Sequence, residues 1–449
     1  MFVKKLMAFF MAICLAFSGG AASVIGNTDG QPIQATERTY RYDQDKLQLG
    51  VYCFHKHDNY NTLRKWFKEA GLNFAVSVWG QQLTDEDFNW LEENGLGIFA
   101  PNTDYYRSLH RDAIWGIDFR DEPGSGTFPA LAEGVKELYA EDANRFPLIN
   151  LFPMYASSEQ LGEEPLFPGN DSKIDGLNAD SDKYRKHVND YISIIDSDVI
   201  SVDIYPLNVD NATGKLSTYE YWLRNLDILA EACRETNRDL WVVTQAAGNS
   251  KEEGGAKRWC DTPEDQRWQD YVSLAFGAKA IIYGCYYTGW WDQGSHMIDN
   301  AGHRTLTYYA VKKVNRELSV FADEYGRYEN HGAVLFNGSN PNAAGAKLPL
   351  VKIDKQYQPN VLTAAPVLCG CFTEKEGDGS AYVFANMYEP QTGKEAKFTA
   401  TFPGAESITV YRMGEATEIK GDTLTLKLDN REGVFVTVKM DPNAAGPVC

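Results

Sequence analysis

Between residues 47 and 325 the chain alternates short apolar runs with longer segments whose apolar positions recur three and four apart. The runs are LGVYCF (49–54), FAVSVW (74–79), LGIFAPN (96–102), AIWGIDF (113–119), FPLINLF (146–152), VISVDIYP (199–206), LWVVTQAAG (240–248) and AIIYGCYY (280–287). Their length and flanking turn residues predict buried strands. Between them, NTLRKWFKEAG, TDEDFNWLEENG, FPALAEGVKELYAED and TYEYWLRNLDILAEACRETN carry the spacing of amphipathic helices, and LTYYAVKKVNRELSVFADEYG follows the eighth run as a last one. This alternation predicts a (β/α)8 barrel over 47–328. An open doubly wound sheet is the competing arrangement, but the Gly-rich phosphate fingerprint of its nucleotide-binding form is missing.

Beyond residue 328 the texture changes. GAVLFN, AYVFANMY, AKFTATF, SITVYR, TLTLKL and GVFVTV alternate apolar and polar positions between turn residues, which predicts an all-β sandwich over 329–449. Such a domain either binds carbohydrate or packs on the barrel and stabilises it. At the other end, Lys4 and Lys5, the apolar LMAFFMAICLAF and the small-residue SGGAAS make residues 1–22 a secretory signal. The expected location is therefore secreted or cell-surface. Cys14 has no convincing lipobox before it, and no later run is long enough to predict a transmembrane helix. Residues 23–46 are polar and aperiodic, a linker or N-terminal arm.

Charge narrows the partners. A net charge of −19 argues against nucleic acid, whose phosphates need a basic surface. Cys53, Cys233, Cys260, Cys285, Cys369, Cys371 and Cys449 are odd in number and scattered, so no disulfide framework is read. The ten Trp and 25 Tyr suit either core packing or stacking against a flat, hydroxyl-rich ligand.

The stretch AIWGIDFRDEPG (113–124) is apolar like a buried strand, yet carries Asp118, Arg120, Asp121 and Glu122. In a barrel, alternate residues point inward and catalytic groups gather at the C-terminal strand ends. With Ile117 and Phe119 facing the helices, strict alternation puts Asp118, Arg120 and Glu122 inside. Asp118 and Arg120 then read as a buried supporting pair, since bare charges there cost too much. Glu122 and Asp121 lie at the rim. The same counting brings Trp79, Asn150, Phe152, Ser201, Asp203, Tyr205 and Gln245 inward, with Tyr286, Tyr287, Trp290 and Trp291 after the eighth strand. The projected mouth is acidic, aromatic and amide-rich. Carboxylates move protons, amides hold hydroxyls and indoles stack on pyranose faces, so a carbohydrate substrate is expected. For any one of these acids alone, a cap or a solvated charge is the commoner role.

This layout resembles the large clan of barrel glycoside hydrolases whose fourth strand ends in Asn-Glu-Pro; here it is Asp121-Glu122-Pro123. DVISVDIYPL (198–207) and FGAKAIIYGCYYTGWW (276–291) look like that clan's sixth and eighth strands. The resemblance implies Glu122 as general acid/base. The clan's nucleophile, a Glu ending strand seven, is replaced by Gln245, which cannot be an anionic nucleophile. The Asp-Glu pair is also similar to that of the family-20 and family-123 N-acetylhexosaminidases. There the substrate's 2-acetamido oxygen attacks the anomeric carbon. Carried over, Asp121 would polarise that group and Glu122 would protonate the leaving oxygen. Two alternatives stay open: inversion with Asp203 as base, or a barrel that binds sugar without cleaving it. Gln245, Tyr205, Trp79, Asn150, Tyr287, Trp290, Trp291 and His55 are the expected substrate contacts.

No cofactor or metal is expected. His55 and His57 have the spacing of a zinc pair, but strands five and six lack the further histidines such a site needs. There is no G-x-S-x-G elbow. The Gly/Pro/Asp-rich insertion at 157–182 is expected to flank the mouth.

Overall fold

The computed structural model describes residues 32–36, 38–56, 60–162, 177–210, 216, 219–248, 256–258, 260–287, 295–337 and 350–442. Eight strands form a closed parallel barrel: β1 (Gln48–Tyr52), β2 (Phe74–Val76), β3 (Gly97–Pro101), β4 (Ile114–Asp121), β5 (Phe146–Leu151), β6 (Val199–Asp203), β7 (Asp239–Gln245) and β8 (Ala278–Gly284). Each neighbours the next in sequence, and β1 pairs with β8 to close the ring. The strands are followed in turn by α1 (Tyr60–Glu69), α2 (Asp85–Glu93), α3 (Asp104–Ser108), α4 (Phe128–Glu141), α5 (Leu177–Ile194), α6 (Tyr219–Thr236), α7 (Pro263–Ala275) and α8 (Leu306–Leu318). The expected barrel is what forms. Two boundaries differ from expectation. The last helix is interrupted after Leu318 and resumes at Ala322–Gly326, and the end of the 157–182 insertion is already α5.

The barrel interior is filled by large rings rather than by the usual branched aliphatics. Phe74, Phe99, Phe146 and Trp241 interlock with ring centroids 5.3–5.7 Å apart. Glycines on neighbouring strands make the room. A Cβ on Gly97 would lie 2.0 Å from the Trp115 ring, and one on Gly50 2.2 Å from Phe74. The N-terminal arm completes the lower layer. Tyr42 packs 5.5 Å from Trp241, and Tyr40 meets Phe146 edge-on at 5.3 Å.

The C-terminal region is a sandwich of β9 (Tyr328–Phe336), β10 (Asn360–Thr363), β11 (Val367–Glu374), β12 (Ser380–Asn386), β13 (Ala396–Thr401), β14 (Ala405–Arg412), β15 (Glu415–Lys420), β16 (Thr423–Leu428) and β17 (Gly433–Met440). The larger sheet runs β9-β11-β12-β17-β14-β15 and the smaller β10-β13-β16. Strand β11 holds the Cys-Gly-Cys stretch. Cys369 and Cys371 face the sandwich core, while Gly370 meets α7 so closely that a Cβ would lie 2.2 Å from the Ala275 carbonyl oxygen. Helix α7 is clasped between barrel and sandwich, buried from Asp265 to Ala275. Arg267 grips Glu317 of the neighbouring α8 with two bonds of 2.8 Å, and the Trp268 indole donates to the Asn386 carbonyl of the sandwich at 3.1 Å. The sandwich therefore packs on the barrel wall as a continuous apolar core.

Candidate active site at the barrel mouth

Strand β4 does not keep strict alternation. Asp118 pairs with Leu148 and Arg120 with Ile149, so Phe119 is an extra residue that bulges the strand. Phe119 packs towards α4, where its ring would sit 3.0 Å from a Cβ on Gly134. Past the bulge the faces exchange. Arg120 turns outward and is exposed, while Asp121 comes inward beside Asn150. The expected Asp118–Arg120 pair is thus corrected: Asp118 instead accepts the hydroxyl of Ser77 at the end of β2.

Glu122 follows with φ 46°, a left-handed backbone that a non-glycine residue rarely adopts. Its amide still donates to the Asn150 carbonyl at 2.8 Å. The turn sets its carboxyl within electrostatic reach of Asp203, which ends β6. Asn150 on β5 ties the group together. Its amide nitrogen donates to Asp121 at 3.1 Å and to Asp203 at 2.8 Å, while its oxygen accepts from Ser201 at 2.9 Å. The Asn150 amide, expected to contact substrate, is thus engaged in bracing the two acids.

The electrostatics separate these acids. Burial, then the charges of Asp203 and Asp121, push the Glu122 carboxyl well above the ordinary carboxylate range. Burial and the charge of Asp121 raise Asp203 to about 7, against the Asn150 hydrogen bond and the neighbouring Tyr205 phenol. Asp118 is likewise raised to about 7 by burial, against the Ser77 bond. Burial also raises Asp121, opposed by Asn150 and by the charge of Arg120. Asp121 is nevertheless the exposed member of the group. The Asn150 bond and the Arg120 charge are what favour its anion.

The other expected contacts divide. Tyr205 is buried with its phenol at Asp203. His55 and Tyr287 meet at another corner, ring centroids 5.5 Å apart, and Tyr287 donates to the Asn300 carbonyl at 3.2 Å. The His55–Lys56 backbone pairs with Trp79–Gly80; the Trp79 side chain, Trp290 and Trp291 lie outside the described residues. Gln245 departs from expectation. It is fully buried, its amide accepting from the Leu207 nitrogen at 3.2 Å and donating to the Leu207 and Ala247 carbonyls at 3.4 and 3.2 Å. It clasps the loops after β6 and β7, leaving no amide group for a ligand. Tyr52 was missed. It ends β1, lies in the interior cluster, and its phenol is raised by burial and by Asp118, Asp121 and Asp203. Inward counting on β1 would have found it. Among the described residues, no group of three or more His, Cys, Asp or Glu is arranged to hold a metal ion.

No family model matches the chain, and no curated protein matches it in sequence. Solved structures do resemble it in fold. A glucosidase from Croceicoccus marinus is 10% identical, with 91% of this chain and 98% of that chain covered and a TM-score of 0.41. A family 51 α-L-arabinofuranosidase from Bifidobacterium longum is 9% identical, with 92% and 98% covered and a TM-score of 0.41. A β-L-arabinopyranosidase from Geobacillus stearothermophilus is 11% identical, with 90% and 99% covered and a TM-score of 0.38. Similarity at this level carries no argument about activity, which rests on the site.

Proposed function

We propose that this protein is a secreted glycoside hydrolase acting on 2-acetamido sugars, with Glu122 as general acid/base and Asp121 as the group that polarises the acetamide. The observation that carries the reading is the proton-holding Glu122, set by a left-handed turn against Asp203 at the C-terminal mouth of a parallel barrel. A carboxyl whose environment holds its proton at neutral pH is suited to protonate a leaving glycosidic oxygen. The exposed Asp121 is suited to accept the acetamide N–H and to stabilise positive charge as the acetamide oxygen attacks C1. Glu122, then ionised, takes a proton from the water that opens the resulting ring.

Two features favour this over the alternatives. Strand β7 ends in Gln245, with its amide committed to backbone, so it supplies no anionic nucleophile. Inversion needs Asp203 as an anionic base, whereas burial and the charge of Asp121 raise its carboxyl to about 7. Asp203 is therefore read as the partner that holds the Glu122 proton in place. The test is product release from aryl glycosides and natural oligosaccharides, N-acetylhexosaminides included, by wild type and Glu122→Gln. Release confined to 2-acetamido sugars and lost in the variant is expected. Release of sugars lacking that group would discard substrate assistance. Binding without any release would make the barrel a sugar-binding one.

A further inference from the structure

The left-handed backbone of Glu122 costs free energy in a non-glycine residue and lasts only where neighbouring contacts over-determine it. The residues that follow supply those contacts. Pro123 is buried and fixes its own backbone. Gly124 presses on the helical turn Ser158–Leu161 and the residue after it, where a Cβ would lie 2.9 Å from the carbonyl oxygens of Gln160 and Gly162. Ser125 is buried, and its hydroxyl lies 2.9 Å from Nδ1 of His187 on α5. The same nitrogen lies 3.2 Å from the Leu161 carbonyl oxygen. That carbonyl can only accept, so the ring proton belongs on Nδ1, where it serves Leu161 and Ser125 together. The turn that ends at Leu161 is itself fixed, because Ser157 and Gln160 cap it reciprocally with bonds of 2.9 and 3.2 Å.

His187 is buried 5.1 Å from the Phe128 ring, and burial holds its pKa down to about 4. Its Nε2 has no partner among the described residues. A hydrocarbon ring would fill this slot without stranding that nitrogen. What the imidazole adds is a directed bond to the segment that carries Glu122. One turn earlier on α5, the Tyr184 ring stacks 6.2 Å from His187, and its phenol is raised by burial and by the charges of Asp203 and Glu122. This face of α5 therefore runs behind the acid. We propose that His187 is a positioning residue for Glu122, acting through Ser125, and that the two together fix the turn from which the acid's carboxyl reaches the mouth. The inference rests on Glu122 being the working acid, but its first readout needs no substrate.

The experiment compares wild type, His187→Phe, His187→Asn and Ser125→Ala in the full chain, with thermal unfolding measured alongside. Asn keeps a donor where Nδ1 stood, whereas Phe keeps a ring and loses the donor. Ser125→Ala removes one oxygen and decides the matter should His187→Phe unfold. NMR of glutamate labelled at its side-chain carboxyl carbon follows the titration of Glu122, whose signal is the one lost in Glu122→Gln. With the clamp gone, the carboxyl is expected to move from the buried acids towards water. Its midpoint then falls towards the ordinary carboxylate range in His187→Phe and Ser125→Ala, and returns in His187→Asn. On the glycoside that wild type cleaves, kcat is expected to fall about tenfold or more in His187→Phe at unchanged KM, with most of it recovered in His187→Asn. A Glu122 midpoint and a kcat that stay in place in Ser125→Ala while the unfolding temperature drops would reduce the clamp to a structural bond and overturn the proposal. An Asn variant no better than Phe would overturn it as well. A wild type that cleaves no glycoside would defeat the glycosidase reading alone, and the carboxyl titration would still decide the positioning.

Discussion

The two ends of the barrel both gather carboxylates but treat them in opposite ways. At the bottom, Arg38 binds Asp196 at 2.5 Å and Asp198 at 2.7 Å, and Tyr40 donates to Asp198 at 2.6 Å. Nearby, Arg41 and Arg145 bracket Asp142 at 2.8 and 3.2 Å. Every one of these acids meets a guanidinium. At the mouth, Asp118, Asp121, Glu122 and Asp203 are held by Ser77, Asn150, Tyr205 and one another. Acids matched by cations hold a fold together. Acids packed against acids destabilise it, and such an arrangement is what proton chemistry requires.

Substitutions at the two ends should therefore move different quantities. Glu122→Gln carries the largest expected effect, a loss of about 10²- to 10⁴-fold in kcat/KM on the responsive glycoside. The same change should leave stability unchanged or slightly raised, because it removes a charge site from a crowded group. Arg38→Ala should do the reverse. It strands Asp198, 13% exposed at its side chain, and is expected to cost about 3 kcal/mol in urea denaturation while the folded enzyme keeps its kcat. If Arg38→Ala lowered kcat and spared stability, the contrast between the ends would be broken.

pH offers a subtler separation. Asp118 and Asp203 titrate at about 7 in the fold, above their ordinary 3.8, so the folded chain holds their protons longer than the unfolded one. Their contribution to stability is full below the ordinary value and lost as pH rises through about 7. Asp142 has the opposite sign. Burial would raise it, but the bond and charge of Arg41 hold it below its ordinary value. Its contribution is present above that ordinary value and lost on acidification. Denaturation midpoints measured at about pH 5 and about pH 8 should thus fall towards the alkaline side. Asp118→Asn should flatten the alkaline fall and Asp142→Asn the acid one. An alkaline fall undiminished in Asp118→Asn would remove Asp118 from the titrating group.

Much of this site was legible because barrels obey two local rules, strand–helix alternation and inward counting. Those rules brought Asp121, Glu122, Asp203 and Tyr205 to one mouth from separate stretches of chain. What escaped them was a single inserted residue. The bulge at Phe119 exchanges the faces of β4, and alternation alone cannot announce it because an apolar Phe119 suits a helix-facing position with or without the bulge. Gln245 shows a second kind of loss. Its position at a strand end was readable, but its burial depends on loops whose backbone groups have no sequence signature. Strand β11 was passed over because Gly370 breaks the apolar alternation, for a reason found only in its contact with α7.

The smallest effects are expected from a matched pair of hydroxyls. Tyr40 at the bottom donates to Asp198 and contacts the Tyr139 hydroxyl at 3.0 Å. Tyr205 at the mouth has its buried phenol beside Asp203 and lowers its pKa. Each phenol is largely buried, so each change to Phe removes one oxygen with little change in packing. Tyr40→Phe withdraws a bond from an acid that Arg38 still neutralises, so it should cost about 1 kcal/mol of stability and leave the pH profile alone. Tyr205→Phe withdraws a neighbouring hydroxyl from an acid that is crowded by other acids. The Asp203 pKa should rise further, and the limb of the kcat/KM profile that reports the Glu122–Asp203 pair should shift towards higher pH. The pair's macroscopic values, rather than either residue's own, are what the profile reads. A limb that stayed in place in Tyr205→Phe, with activity retained, would mean that Asp203 does not share the proton on which the Glu122 assignment depends.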